Sequence, residues 1–523
     1  LIAEMDHQVS EEGVHGELSS YYHCYTLEFF LQALILAKRN NVTLPSDVWE
    51  KVSRMINFLM HLSRPDGTIP LLGDDDGGRA LALSRTDYRL VSDFLSTGAV
   101  LFGRPDFKGS AGFFREETYW LLGEEAWQIF NSLPSEMPSS TTLSCPDAGY
   151  FIQRSDWGRS ATHLVFDCGG LGKLGGGHGH ADALSFALWS AGKDLLVDPG
   201  TYGYNGAPEW RNYFRSTRAH NTVTVDKCEQ SEAEAAFRWE RKSSTRILGQ
   251  FILPEIECFA GEHDGYTQLP SGVIHRRRLL FLKPEYWVVV DSYLGEGEHC
   301  FEQNFHFAAD VELYNCKINN NREIRLRTRS GDSELDVFLV GGAPVDARII
   351  SGSVSPIQGW TSDRYGRKVA APVLNASFTC SVPAGTITAI MPAADPTDLF
   401  DAVTVQRLDL AEGAGAGCTI TRGARTDLFV ISPDGSEVTA AGFRMVGEFF
   451  WIRTVGNSMK HFLALEAKHL SAKNKIIFNT REQVPYLSDH TLQPNRPDLE
   501  PSMTGERHVR NMRDYSIRCI QPD

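Results

Sequence analysis

The chain has 523 residues, enough for more than one domain with ample core, and its 42% hydrophobic and 22% charged fractions are those of ordinary globular protein. A formal net charge of −15 argues against general nucleic-acid binding, which needs a basic face, and no apolar run approaches the length of a membrane span. The ten cysteines are scattered without a C-x-x-C pair, which excludes a disulfide scaffold and a cysteine zinc module.

From Tyr21 to about Pro134 the chain reads as helices. Leu27, Phe30, Leu31, Leu34 and Ile35 recur at helical spacing. Ser46-Asp47 starts a second helix with Val48, Val52, Met55, Ile56 and Leu59 on its inner face, and Arg64-Pro65-Asp66-Gly67 breaks it. Further helices are expected from Tyr88 to Leu101 and from Glu116 to Leu133. Asp74-Asp75-Asp76 lacks the spacing of an EF-hand and reads as a loop. Helical hairpins with short connections suggest an α/α toroid, of which only the last part is present.

The composition changes after the Pro- and Ser-rich linker 134–140. Short β-type runs then alternate with Gly, Asp and Asn turns, among them Thr162 to Phe166, Thr222 to Val225, Leu279 to Leu282, Trp287 to Val290, Leu428 to Ile431 and Phe449 to Arg453. Many strands without intervening helices imply an antiparallel sandwich of more than one sheet. The expected fold is therefore an α + β multidomain chain: residues 1–140 an incomplete α/α toroid, 141–487 an antiparallel multi-sheet β-sandwich, and 488–523 a loosely packed tail. The basic run His275-Arg276-Arg277-Arg278 alternates faces on a strand and is expected at an edge or in solvent.

The densest chemistry lies in Gly175-Gly176-Gly177-His178-Gly179-His180-Ala181-Asp182, followed by Asp198-Pro199-Gly200-Thr201 and by Trp210 to Asn221. On an extended strand the i, i+2 spacing of His178 and His180 puts both rings on one face, and the glycines allow close backbone approach. His180, Asp198 and His220 form a zinc set, since imidazole and carboxylate suit that ion and three protein ligands suffice. They lack zinc-finger spacing and must meet through tertiary folding.

Three of these segments resemble the heparinase II/III-type polysaccharide lyases, which include oligoalginate lyases: Gly177 to Asp182, Val197-Asp198-Pro199-Gly200-Thr201-Tyr202, and Arg215 to Val223. Glu17-Leu18-Ser19-Ser20-Tyr21-Tyr22-His23 resembles that family's helical tyrosine motif, and Pro65 to Pro70 and Gly149 to Ser155 also fit. The resemblance implies an α/α toroid followed by a multi-sheet β domain, and β-elimination at a hexuronate. That reaction needs the sugar carboxylate neutralised, a base for the C5 proton and an acid for the departing glycosidic oxygen.

The resemblance maps the catalytic tyrosine onto Tyr22 and its histidine partner onto His178, with His23 and Glu17 beside the substrate. Spacing alone does not choose between Tyr21 and Tyr22; the register of the motif selects Tyr22. To act as a base a phenol must be depressed by cations, and Arg215 or Arg218 are the candidates. A polyanionic substrate requires a locally basic cleft in this acidic chain, for which Lys173, Arg211, Arg215 and Arg218 are available. The family's carboxylate-neutralising Asn or His would fall upstream of Leu1, and the start at Leu1 suggests a fragment. Because His178 matches the catalytic position, His180 is left for a structural zinc ion with Asp198 and His220. The partner implied is an anionic polysaccharide, the compartment periplasmic or extracellular. The alternatives are a zinc-dependent glycan hydrolase and a non-catalytic glycan-binding protein of polysaccharide assembly.

Overall fold

The computed structural model describes residues 2–489, apart from 174, 320–321, 332, 394–402, 411–414 and 473–474. The expected tail, 488–523, lies almost wholly outside the described residues.

Seven α-helices open the described chain: α1 (Ile2–Gln8), α2 (Ser20–Arg39), α3 (Ser46–Leu62), α4 (Ser92–Phe102), α5 (Pro105–Ala111), α6 (Glu116–Leu122) and α7 (Glu125–Ser132). The stripe read from the sequence faces inward, with Leu27, Leu34, Val52, Met55, Ile56 and Leu59 fully buried. Each such side chain contributes roughly 1.5–3 kcal/mol by leaving water. The helix expected from Glu116 to Leu133 is two helices, because Gly123 takes φ +85 after α6 and breaks the ladder. The helix expected from Tyr88 begins at Ser92, and the Tyr88 hydroxyl instead donates to Asp75 at 2.9 Å.

After α7 comes an antiparallel sheet, β1 (Thr142–Cys145), β2 (Tyr150–Arg154), β3 (His163–Asp167), β4 (Phe186–Ser190) and β5 (Lys193–Leu196), paired in chain order. Alternation along its strands decides what it touches. Tyr150, Ile152 and Val165 join the helical core, while Phe151, Leu164 and Phe166 join the core of the sheets beyond. The sheet is thus sandwiched, and Arg154 fastens it to the helices by donating to the carbonyls of His61 and Ser63, the former at 3.1 Å. A short helix, α8 (Pro208–Phe214), follows β5.

The remaining layers are also antiparallel. An eight-stranded sheet has Tyr286–Gly295 and Val273–Leu282 at its centre, and a four-stranded sheet includes Val223–Val225 and Glu298–His306. Beyond them a seven-stranded sheet packs Phe429 and Trp451 against Leu280, Val288 and Val290. The architecture is an α+β arrangement of helices followed by several antiparallel sheets.

The basic run 275–278 departs from its expected place. It lies on the central strand Val273–Leu282, with His275, Arg277 and Arg278 buried. Burial is possible because each charge is met. Arg277 forks onto Asp291 at 2.7 and 3.1 Å, and the same carboxylate accepts from His275 at 2.7 Å and Gln303 at 2.6 Å.

Candidate active site

The site is built where the start of α2, the loop before residue 79, the β3–β4 connection and α8 meet. Ser19 is the N-cap of α2: its Oγ accepts from the Tyr22 amide at 3.1 Å and donates to the Asp74 carbonyl at 2.7 Å. One serine therefore sets both the helix start that carries Tyr22 and the acidic loop. The Asp74 amide donates to the His178 carbonyl at 2.9 Å, which joins that loop to the histidine segment. Glycine is required between the histidines, since a Cβ on Gly179 would lie 2.3 Å from the Leu171 carbonyl oxygen. His178 and His180 sit in the β3–β4 connection and not on a strand.

The Tyr22 ring stacks on the His178 ring, with centroids 3.9 Å apart and planes at 24°. Its hydroxyl donates to Asp76 at 3.1 Å, so the 3.1 Å contact with the Tyr204 hydroxyl is one in which Tyr204 donates. Burial, with the nearby Asp76 and Asp74 carboxylates, pushes the Tyr22 phenol well up, against the lowering effect of Tyr204. The expected depression by Arg215 or Arg218 is not found: Arg215 is buried against the carbonyls of Ala235 and Ala236 and the side chain of Asn212. The phenol is held in its protonated form.

At the centre lies Asp74, fully buried although it comes from a run of three aspartates. One carboxylate oxygen meets His178 Nδ1 at 3.1 Å and the other His180 Nε2 at 3.0 Å. Arg211 forks onto both oxygens at 2.5 and 2.8 Å, and the Thr201 hydroxyl donates at 3.2 Å. Burial alone would raise this carboxyl, but the two histidines and the guanidinium hold it far below the usual range. Nothing in Gly-Asp-Asp-Asp-Gly-Gly marks its first aspartate as buried. The apolar run Ile69 to Leu72 ahead of it, with Ile69 and Leu72 buried, is the one local signal that the loop turns inward.

Behind this node, His180, Asp182, Asp198 and His220 converge, with one potential ligand atom from each within 4.8 Å of the others. Asp182 is the member the sequence analysis quoted but did not assign. His180 Nδ1 faces His220 Nε2 at 3.2 Å, and His220 Nε2 lies 3.4 Å from Asp198 and 4.0 Å from Asp182. Burial would lower His220, yet Asp198, Asp182 and the Ser216 carbonyl outweigh it and carry the imidazole to about 9. Two imidazoles and two carboxylates around one buried point suit a divalent cation such as zinc.

The other residues singled out by sequence divide sharply. Arg211 is 2% exposed and engaged by Asp74 and the Ala236 carbonyl, so neither it nor Arg215 has a guanidinium free for a substrate carboxylate. Arg218 is exposed and 4.0 Å from Glu229; Lys173 is exposed, its amine on the His7 carbonyl at 3.2 Å. Glu17 lies near His178 and Asp74, with its carboxyl raised chiefly by burial. His23 is enclosed in the helical core, its Nε2 3.1 Å from the Met55 carbonyl, so it touches the site only through the helix that carries Tyr22. His15 is buried and lies 3.3 Å from the Thr26 hydroxyl. Tyr204, Phe237 and Tyr365 were missed; the rings of Tyr204 and Phe237 lie beside His178, and Tyr204 is centred 5.0 Å from Phe237 and 5.1 Å from Tyr365.

Comparison with known proteins gives the family. Residues 137–387 match the family described as Heparinase II/III-like, C-terminal, and residues 1–96 match Heparinase II/III N-terminus. A heparin-sulfate lyase of Pedobacter heparinus is 26% identical over 303 residues, covering 57% of this chain and 40% of the relative. One from Bacteroides stercoris is 25% identical over 328 residues, covering 61% of this chain and 42% of the relative. The matched part of this chain thus spans less than half of either relative. The crystal structure of the heparan sulfate lyase HepC from Pedobacter heparinus superposes with a TM-score of 0.60 at 20% identity, over 83% of this chain and 61% of that one.

Proposed function

As this chain belongs to the heparinase II/III-type family, we propose that it cleaves a uronate-containing glycan by β-elimination, leaving an unsaturated uronate end. The observation that carries the reading is the stack of a protonated Tyr22 phenol on His178 at the partly exposed edge of a charged, buried network. In this reading His178 takes the C5 proton, and Tyr22 gives its proton to the departing glycosidic oxygen. The raised phenol suits the acid role, because a group that keeps its proton in the resting state has one to give. Tyr204 and Asp76 hold that hydroxyl in place.

The substrate proposed is a glycosaminoglycan of the heparan sulfate type, supported by the names of the relatives. For contact with it we assign Glu17, Lys173 and Arg218, and for positioning, His23, Arg211 and Arg215. We assign zinc to His180, Asp198 and His220, with Asp182 completing the set. Zinc bound there supplies a fixed cross-link between the loops carrying His178 and the 215–221 segment.

The helices of 1–140 are read as the end of an α/α toroid and 141–487 as the sandwich domain, in keeping with separate family matches over residues 1–96 and 137–387. Among the described residues no helix is long and apolar enough to cross a membrane. A periplasmic or extracellular setting follows from the substrate class.

The test incubates the full-length protein with heparan sulfate, heparin and other uronate polymers and follows the ultraviolet absorbance of unsaturated products. Absorbance rising with chain scission is expected. New reducing ends without that absorbance would identify the zinc hydrolase instead, and binding without scission a glycan-binding protein.

A further inference from the structure

We infer that Asp74 fixes the proton positions of two histidines at once, leaving His178 Nε2 bare toward the substrate side and His180 Nδ1 bare toward the metal cluster. The argument is one of donors and acceptors. A carboxylate forked by Arg211 can only accept, so each ring nitrogen that meets it must carry the hydrogen. His178 meets it through Nδ1 at 3.1 Å and His180 through Nε2 at 3.0 Å. The two rings are therefore held as opposite tautomers by one side chain.

The consequence at the cluster is specific. His220 Nδ1 donates to the Ser216 carbonyl at 2.7 Å, so its Nε2 is the atom that faces the cluster. That atom faces His180 Nδ1 at 3.2 Å, beside Asp198. A bare His180 Nδ1 can only accept, so it takes either the hydrogen that the flanking carboxylates favour on His220 Nε2 or a divalent cation in that hydrogen's place, and Asp74 sets this requirement from outside the cluster. Partners behind metal-bound imidazoles commonly act in this way. Asp74 is a positioning residue for both functions. Its effect on His178 rests on the lyase reading; its effect on His180 does not.

The test uses the full-length protein with its histidines labelled with nitrogen-15, zinc alone as the metal probe, and Asp74→Asn. In the unsubstituted protein the ring nitrogens should report the hydrogen on Nδ1 of His178 and on Nε2 of His180. Finding either ring in the other tautomer would overturn the inference without need of any variant. In Asp74→Asn both rings should lose their single tautomer, zinc affinity should fall about 10–100-fold, and kcat should fall while KM holds. A variant that loses only thermal stability, with tautomers and zinc affinity unchanged, would also overturn it. If tautomers and affinity shift as stated but no substrate yields unsaturated product, the lyase reading fails and this inference stands.

Discussion

Replacing Arg277 with Met should damage both the core and the metal cluster. The guanidinium is fully buried and makes four hydrogen bonds: two to Asp291, one to the Leu184 carbonyl at 2.7 Å and one to the Asn221 carbonyl at 2.6 Å. Removing one partner of a buried ion pair costs about 3–5 kcal/mol, and the lower end applies here because Asp291 keeps His275 and Gln303. The two orphaned carbonyls add about 1–2 kcal/mol each, giving roughly 5–7 kcal/mol in all. Lys at the same position restores a charge but not the fork, and should lose about half as much. Because Leu184 and Asn221 lie within two residues of Asp182 and His220, zinc affinity should weaken in parallel. Denaturant unfolding followed by tryptophan fluorescence, together with zinc competition against a chelator, measures both. A Met variant within about 1 kcal/mol of the parent, or one that binds zinc normally, would refute the reasoning.

Three further outcomes are expected. Tyr22→Phe removes only the hydroxyl and should lower kcat by about 10²–10⁴ with KM and melting temperature nearly unchanged, as read by steady-state kinetics and calorimetry. Asp198→Ala, or chelation of the parent, should lower the melting temperature and loosen the 215–221 segment, which hydrogen exchange would locate. Below pH 6.5 the protein should lose stability steeply. Burial holds His23 and His61 at about 3, so the unfolded chain takes up protons there that the folded chain refuses. The penalty begins as pH falls below the unfolded value near 6.5, reaches about 2 kcal/mol per histidine at pH 5, and levels off only near the folded value. Urea melts across pH 7 to 5 would show it, and His61→Gln should flatten the slope.

Periodicity made the helical core legible, because burial along α2 and α3 repeats every three to four residues and no long-range partner is needed to see it. The change to strands was legible from the shift in composition and from short β-type runs between turn residues. What escaped reading depends on partners far away in sequence. Asp74 looks like one of three solvated aspartates until residues 178, 180 and 211 close over it. Arg277 reads as surface charge until Asp291 appears on the neighbouring strand, opposite it in register. Arg211 and Arg215 were taken for substrate contacts because charge alone cannot show that backbone carbonyls already engage them. Asp182 lay inside a quoted motif, yet only folding brings its carboxylate to His220.

The placement of Asp74 also makes this chain a natural two-piece device. The carboxylate comes from the helical side of the linker 134–140, and both histidines that it orders come from the other side. A protease cut in that linker would leave each piece with half of a proton-ordering circuit. The histidine signals of the second piece would then report, residue by residue, whether the first had docked. Reassociation of the halves becomes something that can be titrated, with the protons on two rings as its gauge.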